Sequence, residues 1–295
     1  MKTLLVTGAS GLVGGHAAVR ASSRFRVWAA YGGHPVSFPN IQSIALDLSD
    51  EKSIRSVFER VRPDCLIHCA AWSKLDDCEK NPRRSRKINV EATEFLAELS
   101  AQSGVPDRSG CRMIFTSSDM VFDGSRGNYS ETDEPNPIQL YGRQKLEAER
   151  KIAAVLPNHA VARLALVYGK SLNGGRSFSG EIVEKLERGD GMALFTDQFR
   201  TPILVQDAAD ALIELAEHAF TGVIHLGGPE RISRFEFGLK LAEAKGLSKS
   251  LIQHRLMAEI SSEAPRPKDV SLDTSLARRI FAIRFVGVDE GVREA

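Results

Sequence analysis

Short apolar runs alternate with longer amphipathic stretches through the first half of the chain. "TLLVTG" precedes a predicted helix from about Leu12, "RVWAAY" follows it, "SIALDL" precedes a helix from about Ser49, and "DCLIHCAA" precedes another. Runs this short, apolar on both faces, suit strands buried between two layers, and their alternation with helices is the βαβ rhythm of a parallel sheet. A predicted helix from about Arg83 to Ser103, the strand "RMIFTSS", a helix carrying Tyr141 and the strand "AVARLALVYG" continue the rhythm to Tyr168. Beyond it the pattern loosens into a Gly/Ser-rich loop, "GKSLNGGRSFSG", a helix to about Arg188 and short irregular elements. Within 203–227 the helix "VQDAADALIELAEHA" and the strand "GVIHLGG" are regular enough to rejoin the main sheet.

The first strand-to-helix turn, "VTGASGLVGG", carries Gly8, Gly11 and Gly14. Three glycines at this spacing allow a tight turn, a close approach of backbone to a pyrophosphate, and tight packing of helix on strand. The helix that follows then presents unpaired N–H groups and a partial positive charge to the phosphates. The predicted fold class is therefore α/β, a Rossmann-type doubly wound parallel sheet over 1–168 with 203–227 rejoining it. Residues 169–295 form most of a smaller, interleaved C-terminal lobe, where such folds bind substrate.

Composition narrows the partners. The 295 residues are 42% hydrophobic and 26% charged with a formal net charge of +1, so no global field favours nucleic acid or an anionic membrane surface. A small-molecule partner is predicted. The apolar start "MKTLLVTGASG" is too short for a signal peptide, and no run of about twenty apolar residues occurs, which predicts a cytoplasmic protein with no membrane span. Cys65, Cys69, Cys78 and Cys111 lack metal-ligand spacing and read as reduced thiols. The acidic group Glu131, Asp133 and Glu134 reads as a solvated loop, and no metal is predicted.

After the second strand, where NAD-binding sites place an acid for the ribose 2′-OH, "AAYGGHP" has none. A 2′-phosphate would meet no like charge beside Tyr31, and His34 could lie nearby, so NADP(H) is favoured, with NAD(H) as the alternative. For His68 the reading is a buried strand histidine.

Tyr141 and Lys145, four apart, share one face of their predicted helix. A free phenol has a pKa of about 10, and an ammonium beside it favours the phenolate, which predicts a Tyr141 tuned downward by Lys145. At the end of "RMIFTSS", Ser117 and Ser118 point to opposite faces if the strand runs that far.

The glycine spacing, with Ser118, Tyr141 and Lys145 in this chain order, resembles the extended short-chain dehydrogenases/reductases. "SSDMVFDG", "YGRQKLEAE", "RTPILVQDAADAL" and "RPKDVSLDTS" are similar to the dTDP-4-dehydrorhamnose reductase group, with likeness over nearly the whole chain. The resemblance implies cofactor contacts from Gly8, Ser10, Gly11, Leu12, Val13, Gly14, Asp47, Leu48, Cys69, Ala70, Ala71 and Asn89, besides Tyr141 and Lys145. It implies substrate contacts from Trp72, Ser118, Met120, Arg200 and Arg266, the arginines lying where the group meets a diphosphate.

The implied reaction is reduction of a nucleotide-linked 4-keto sugar. Hydride passes from the nicotinamide to C4, Tyr141 protonates the oxygen, Ser118 orients it and Lys145 tunes Tyr141. Met120 and Leu166 replace a tyrosine and a tryptophan usual in the group, so the resemblance does not carry rhamnose itself. Met120 also replaces the glutamate of sugar-nucleotide dehydratases. An epimerase is the lesser enzymatic alternative. The Ser-Ser-Asp motif and the span Arg163 to Gly169 also resemble the regulatory β subunit of methionine adenosyltransferase, an NADP-binding interaction partner, and that alternative stays open. The oligomer predicted is a homodimer, the commonest closed assembly.

Overall fold

The chain enters its main sheet at the centre. β1 (Thr3–Thr7) is flanked by β2 (Arg26–Tyr31) on one side and β4 (Cys65–His68) on the other, with β3 (Gln42–Ala45) beyond β2. β5 (Arg112–Ser118), β6 (His159–Leu164) and the strand Gly222–Leu226 extend the far side, and all seven strands are parallel. The computed structural model describes residues 1–103, 110–175 and 177–295; Arg176, in the predicted Gly/Ser-rich loop, lies outside them. The winding direction reverses between β1 and β4, and in open α/β sheets the crevice at the carboxyl ends of such a pair is where ligands bind.

Alternation along the strands builds a core on each face. Leu4 and Val6 join Ala17, Ala18, Leu212 and Ile213, while Leu5 joins Ile54, Phe58, Leu96 and Ile152. Helix α1 (Leu12–Ala21) packs against the helix Val205–Glu217, which leads into Gly222–Leu226. The C-terminal lobe has its own core, with Ile182, Leu194, Phe237, Leu241 and Val292 around Tyr168. Short strand pairs frame it: Met192–Phe195 with Ile252–Arg255, and Phe199–Arg200 with Ile232–Ser233.

Three elements differ from the pattern-based expectation. "AVARLALVYG" is not one strand: β6 ends at Leu164, and Val167–Tyr168 pairs instead with Ile203–Leu204 in the lobe. Helix α2 (Glu51–Val61) starts after Asp50, whose side chain caps it by accepting from the Lys52 N–H at 3.0 Å. The predicted helix Arg83–Ser103 is interrupted by a π-helical turn at Lys87–Glu91, between helical Pro82–Arg86 and Ala92–Gln102. Such turns insert one residue into the ladder and re-aim the side chains beside them. Among the described residues no helix is long and apolar enough to cross a membrane.

Candidate active site

The glycine turn follows β1. Gly8 adopts φ +70°, and a Cβ there would stand 2.7 Å from the Ala70 nitrogen, so the loop after β4 lies directly against it. A Cβ on Gly14 would lie 2.4 Å from the Gly8 carbonyl oxygen, which holds helix against strand. At Gly11 an added Cβ would meet only that same carbonyl, at a tight 3.2 Å, with no other heavy atom within 4 Å. Gly11 caps α1 without a side-chain hydrogen bond, and no acid occupies the first turn. The N–H groups of that turn are thus free for an anion.

Two cavities meet at this turn and share Gly8, Gly32, Ala70, Ala71 and Ser73. The first, of about 800 Å³, is lined by Tyr31, Asp47, Leu48 and Trp72. Ser49 donates both its hydroxyl and its N–H to Asp47, holding that carboxyl below its usual range. The second, of about 660 Å³, takes in Ser10, Gly11, Leu12, Val13 and Gly14, together with Cys69, Ser118, Met120, Tyr141, Lys145, Leu166, Arg200 and Arg266. Together the two cavities place the glycine turn between Asp47 and Tyr141, and the residues that line them could hold a dinucleotide.

Tyr141 and Lys145 lie on the first turns of the helix Leu140–Val155, started by Gln139, whose side chain accepts from the Gly142 N–H at 2.7 Å. Gly142 leaves no room for a side chain, because a Cβ would stand 2.1 Å from the Met120 carbonyl oxygen. That contact presses the helix onto the end of β5. Lys145 is 2% exposed, donates to the Thr116 carbonyl at 2.7 Å, and lies 5.9 Å from the centroid of the Tyr141 ring. Burial pulls its pKa down to about 8.

The tyrosine departs from the tuning predicted above. Burial, then the neighbouring Asp119 and then Cys78, hold its phenol above its ordinary pKa. Desolvation of the buried phenol is the largest cause, and it outweighs the lysine one helical turn away.

The two serines separate as alternation requires. Ser117 turns inward and donates to Glu149, while Ser118 donates to Asp119 Oδ1 at 3.1 Å and accepts from the Met120 N–H at 3.2 Å. Asp119 is itself 4% exposed; its Oδ2 lies 3.4 Å from Arg200 Nε and has no hydrogen-bond partner. Burial raises its pKa, partly offset by Arg200.

The other sequence-derived positions lie as follows along the two cavities and behind them. Asn89, on the π-helical turn, is 1% exposed, and both its donor hydrogens are used within the protein: Nδ2 donates to the Trp72 carbonyl at 3.0 Å and to Gln144 Oε1 at 2.9 Å. Its Oδ1 accepts from the Trp72 N–H at 2.8 Å, so it braces the loop after β4 against the Tyr141 helix, in place of the cofactor contact predicted from resemblance. Trp72, predicted near substrate, lines the first cavity with Arg84 stacked at 4.8 Å from its ring. His34 is exposed and lines neither cavity. Arg266 lines the second cavity, yet donates to Asp76 at 2.9 Å. His68 bonds Thr7 and Thr93 through its two ring nitrogens, and burial takes its pKa down to about 3.

Arg234 also lines the second cavity, and the sequence reading passed over it. A signal was present. Ser233 and Glu236 form a capping box, which makes Arg234 the first residue of the helix Arg234–Ala244. A cation there opposes the helix dipole, and such local conflicts concentrate at functional positions.

A model of the RmlD substrate binding domain matches residues 1–295. The chain belongs to that family, within the extended short-chain dehydrogenases/reductases. Among the relatives of this RmlD-family chain, the probable low-salt glycan biosynthesis reductase Agl14 of Haloferax volcanii is 33% identical over 277 residues, 92% of this chain and 89% of its own. Methionine adenosyltransferase 2 subunit beta of Danio rerio is 30% identical over 281 residues, 93% of this chain and 83% of its own. The crystal structure of a hypothetical dTDP-4-dehydrorhamnose reductase from Sulfolobus tokodaii superposes with a TM-score of 0.81 at 33% identity, covering 98% of each chain.

Proposed function

We propose that this protein is an NADPH-dependent reductase of a nucleotide-linked 4-keto sugar. The observation that carries the reading is one cavity lined by the glycine turn, Ser118, Tyr141 and Lys145 together with Arg200, Arg234 and Arg266 of the C-terminal lobe. The similarity to Agl14 and to the Sulfolobus tokodaii protein supports the same reading.

When bound, the dinucleotide supplies the hydride. The chain's own residues supply position and a proton. Tyr141, held protonated by burial and by Asp119, is in the form that donates to the oxygen of a reduced C4. Ser118, placed by the Met120 N–H, would orient that oxygen by turning to it the one hydrogen that it gives to Asp119 in the free protein. Lys145, anchored by one N–H to Thr116, keeps two others for the ribose of the dinucleotide. NADP(H) is supported over NAD(H) by the end of β2, where Tyr31, Gly32 and Gly33 bring no carboxylate to the first cavity. Arg84 and Lys87 lie close enough to favour ionised Asp47, so cations stand near the position of a 2′-phosphate.

The deciding experiment supplies NADPH with a panel of nucleotide-linked 4-keto sugars and reads products by mass spectrometry. Reduction of one of them is the expected outcome. Tight NADPH binding with no turnover across the panel would reject the reductase and favour the binding role suggested by the likeness to subunit beta.

The glycine geometry yields a second expectation. Gly11→Val should weaken NADPH binding on the order of tenfold or more and cost less melting temperature than Gly14→Val, because its Cβ meets one backbone oxygen at 3.2 Å where that of Gly14 would meet it at 2.4 Å. Gly14→Val should lower the melting temperature itself. A melt and a fluorescence titration on the same samples check both, and equal NADPH affinity in Gly11→Val would reject the assigned cradle.

A further inference from the structure

Three guanidinium groups line the second cavity, and their surroundings differ. Arg200 is 2% exposed, lies 3.4 Å from Asp119 Oδ2 and donates through Nη1 to its neighbour's carbonyl, Phe199, at 2.7 Å. Arg266 is paired with Asp76 at 2.9 Å. Arg234 has no carboxylate within 4.0 Å among the described residues. Its guanidinium makes one hydrogen bond, from Nε to Gln198 Oε1 at 3.2 Å, and Nη1 is buried with no partner.

The group is nonetheless held firmly. Its plane lies 3.8 Å from the centre of the Phe178 ring, and its backbone N–H donates to the Gln198 carbonyl at 3.0 Å. Antiparallel pairing of Ser233 with Phe199 and of Ile232 with Arg200 sets Arg234 beside Arg200. Burial, then the neighbouring charges of Arg200 and Arg266, bring its pKa down to about 9, while Asp119 and Glu181 act the other way from beyond ion-pair distance, so it remains charged at neutral pH without a direct carboxylate partner. A partly buried cation whose Nη1 lacks a partner is costly, and a fixed guanidinium fork suits the bidentate geometry of phosphate oxygens.

We propose that Arg234 is the principal anchor for the diphosphate of the substrate, a nucleoside diphosphate group, while Arg200 and Arg266 are held mainly by protein carboxylates. The proposal rests on the nucleotide-linked substrate of the preceding section, and it assigns the anionic contact to a residue outside the family's arginine motifs quoted above.

The test is calorimetric titration of the full-length protein with TDP and with UDP, and separately with NADP⁺, for the parent, Arg234→Gln and Arg234→Lys. Arg234→Gln should lose roughly 30- to 100-fold in nucleoside diphosphate affinity, the scale of a charge-assisted bond, and keep NADP⁺ affinity within about twofold. Arg234→Lys, which keeps charge and stem but not the fork, should fall between and guards against misfolding of the first variant. Equal diphosphate affinity in parent and Arg234→Gln, an equal loss of NADP⁺ affinity, or no nucleoside diphosphate binding by the parent would overturn the assignment. A parent that binds TDP through Arg234 yet reduces no 4-keto sugar would remove the reductase reading and leave Arg234 in place.

Discussion

Tyr141→Phe lowers turnover by ~10²-fold or more while NADPH affinity stays within a few fold, the scale on which a positioned general acid contributes. The substitution removes one oxygen from a ring that is 9% exposed and leaves the ring packing intact. Lys145 keeps its bond to Thr116, so the cofactor side of the cavity is undisturbed. No neighbour replaces the lost proton: Ser118 already donates to Asp119, and Lys145 is needed as a cation. The upward shift of the phenol by burial, Asp119 and Cys78 adds a direction to this expectation. A phenol held neutral is ready to protonate an alkoxide, whereas oxidation of the product requires the phenolate and should need more alkaline solution. Initial rates at saturating NADPH with the sugar identified in the panel, beside a fluorescence titration of NADPH, measure both quantities. Unchanged turnover would reject Tyr141 as the proton donor.

What could be read from the chain divides by distance along it. The glycine turn is legible because all three glycines serve one local geometry, and the structure shows a different steric reason for each. The alternation of Ser117 and Ser118 follows from strand pleat alone, and their side chains do part to Glu149 and Asp119. The pKa of Tyr141 was not legible, because a helix pattern reveals the lysine four residues away but not the burial that opposes it. Asn89 illustrates the same limit: the π-helical turn that buries it depends on Trp72 and Gln144, distant in sequence. The freedom of Arg234 likewise depends on which acids pair with Arg200 and Arg266, and those partners, Asp119 and Asp76, lie far back in the chain.

Glu149→Ala should destabilise the protein by about 3–5 kcal/mol, the usual consequence of removing one partner from a buried ion pair. Glu149 lies one helical turn beyond Lys145 and two beyond Tyr141, facing the sheet. Arg163 of β6 meets it through Nε at 3.1 Å and Nη2 at 2.7 Å, with side-chain exposures of 4% for the arginine and 6% for the glutamate. Ser117 donates to the same carboxylate, so three elements converge on one group: the end of β5, β6 and the helix bearing Tyr141. Without it Arg163 retains the Phe122 ring at 5.2 Å but no anion, and its Nη1 already lacks a hydrogen-bond partner. The large effect therefore comes from the stranded arginine more than from the lost bond itself. It follows that Glu149→Ala combined with Arg163→Met should recover part of the loss, since an apolar pair removes the uncompensated charge although it leaves some space unfilled. Urea denaturation of the two single variants and the double variant closes the cycle. A loss below about 1 kcal/mol in Glu149→Ala, or a double variant no more stable than that single one, would show that the buried pair does not hold this helix to the sheet.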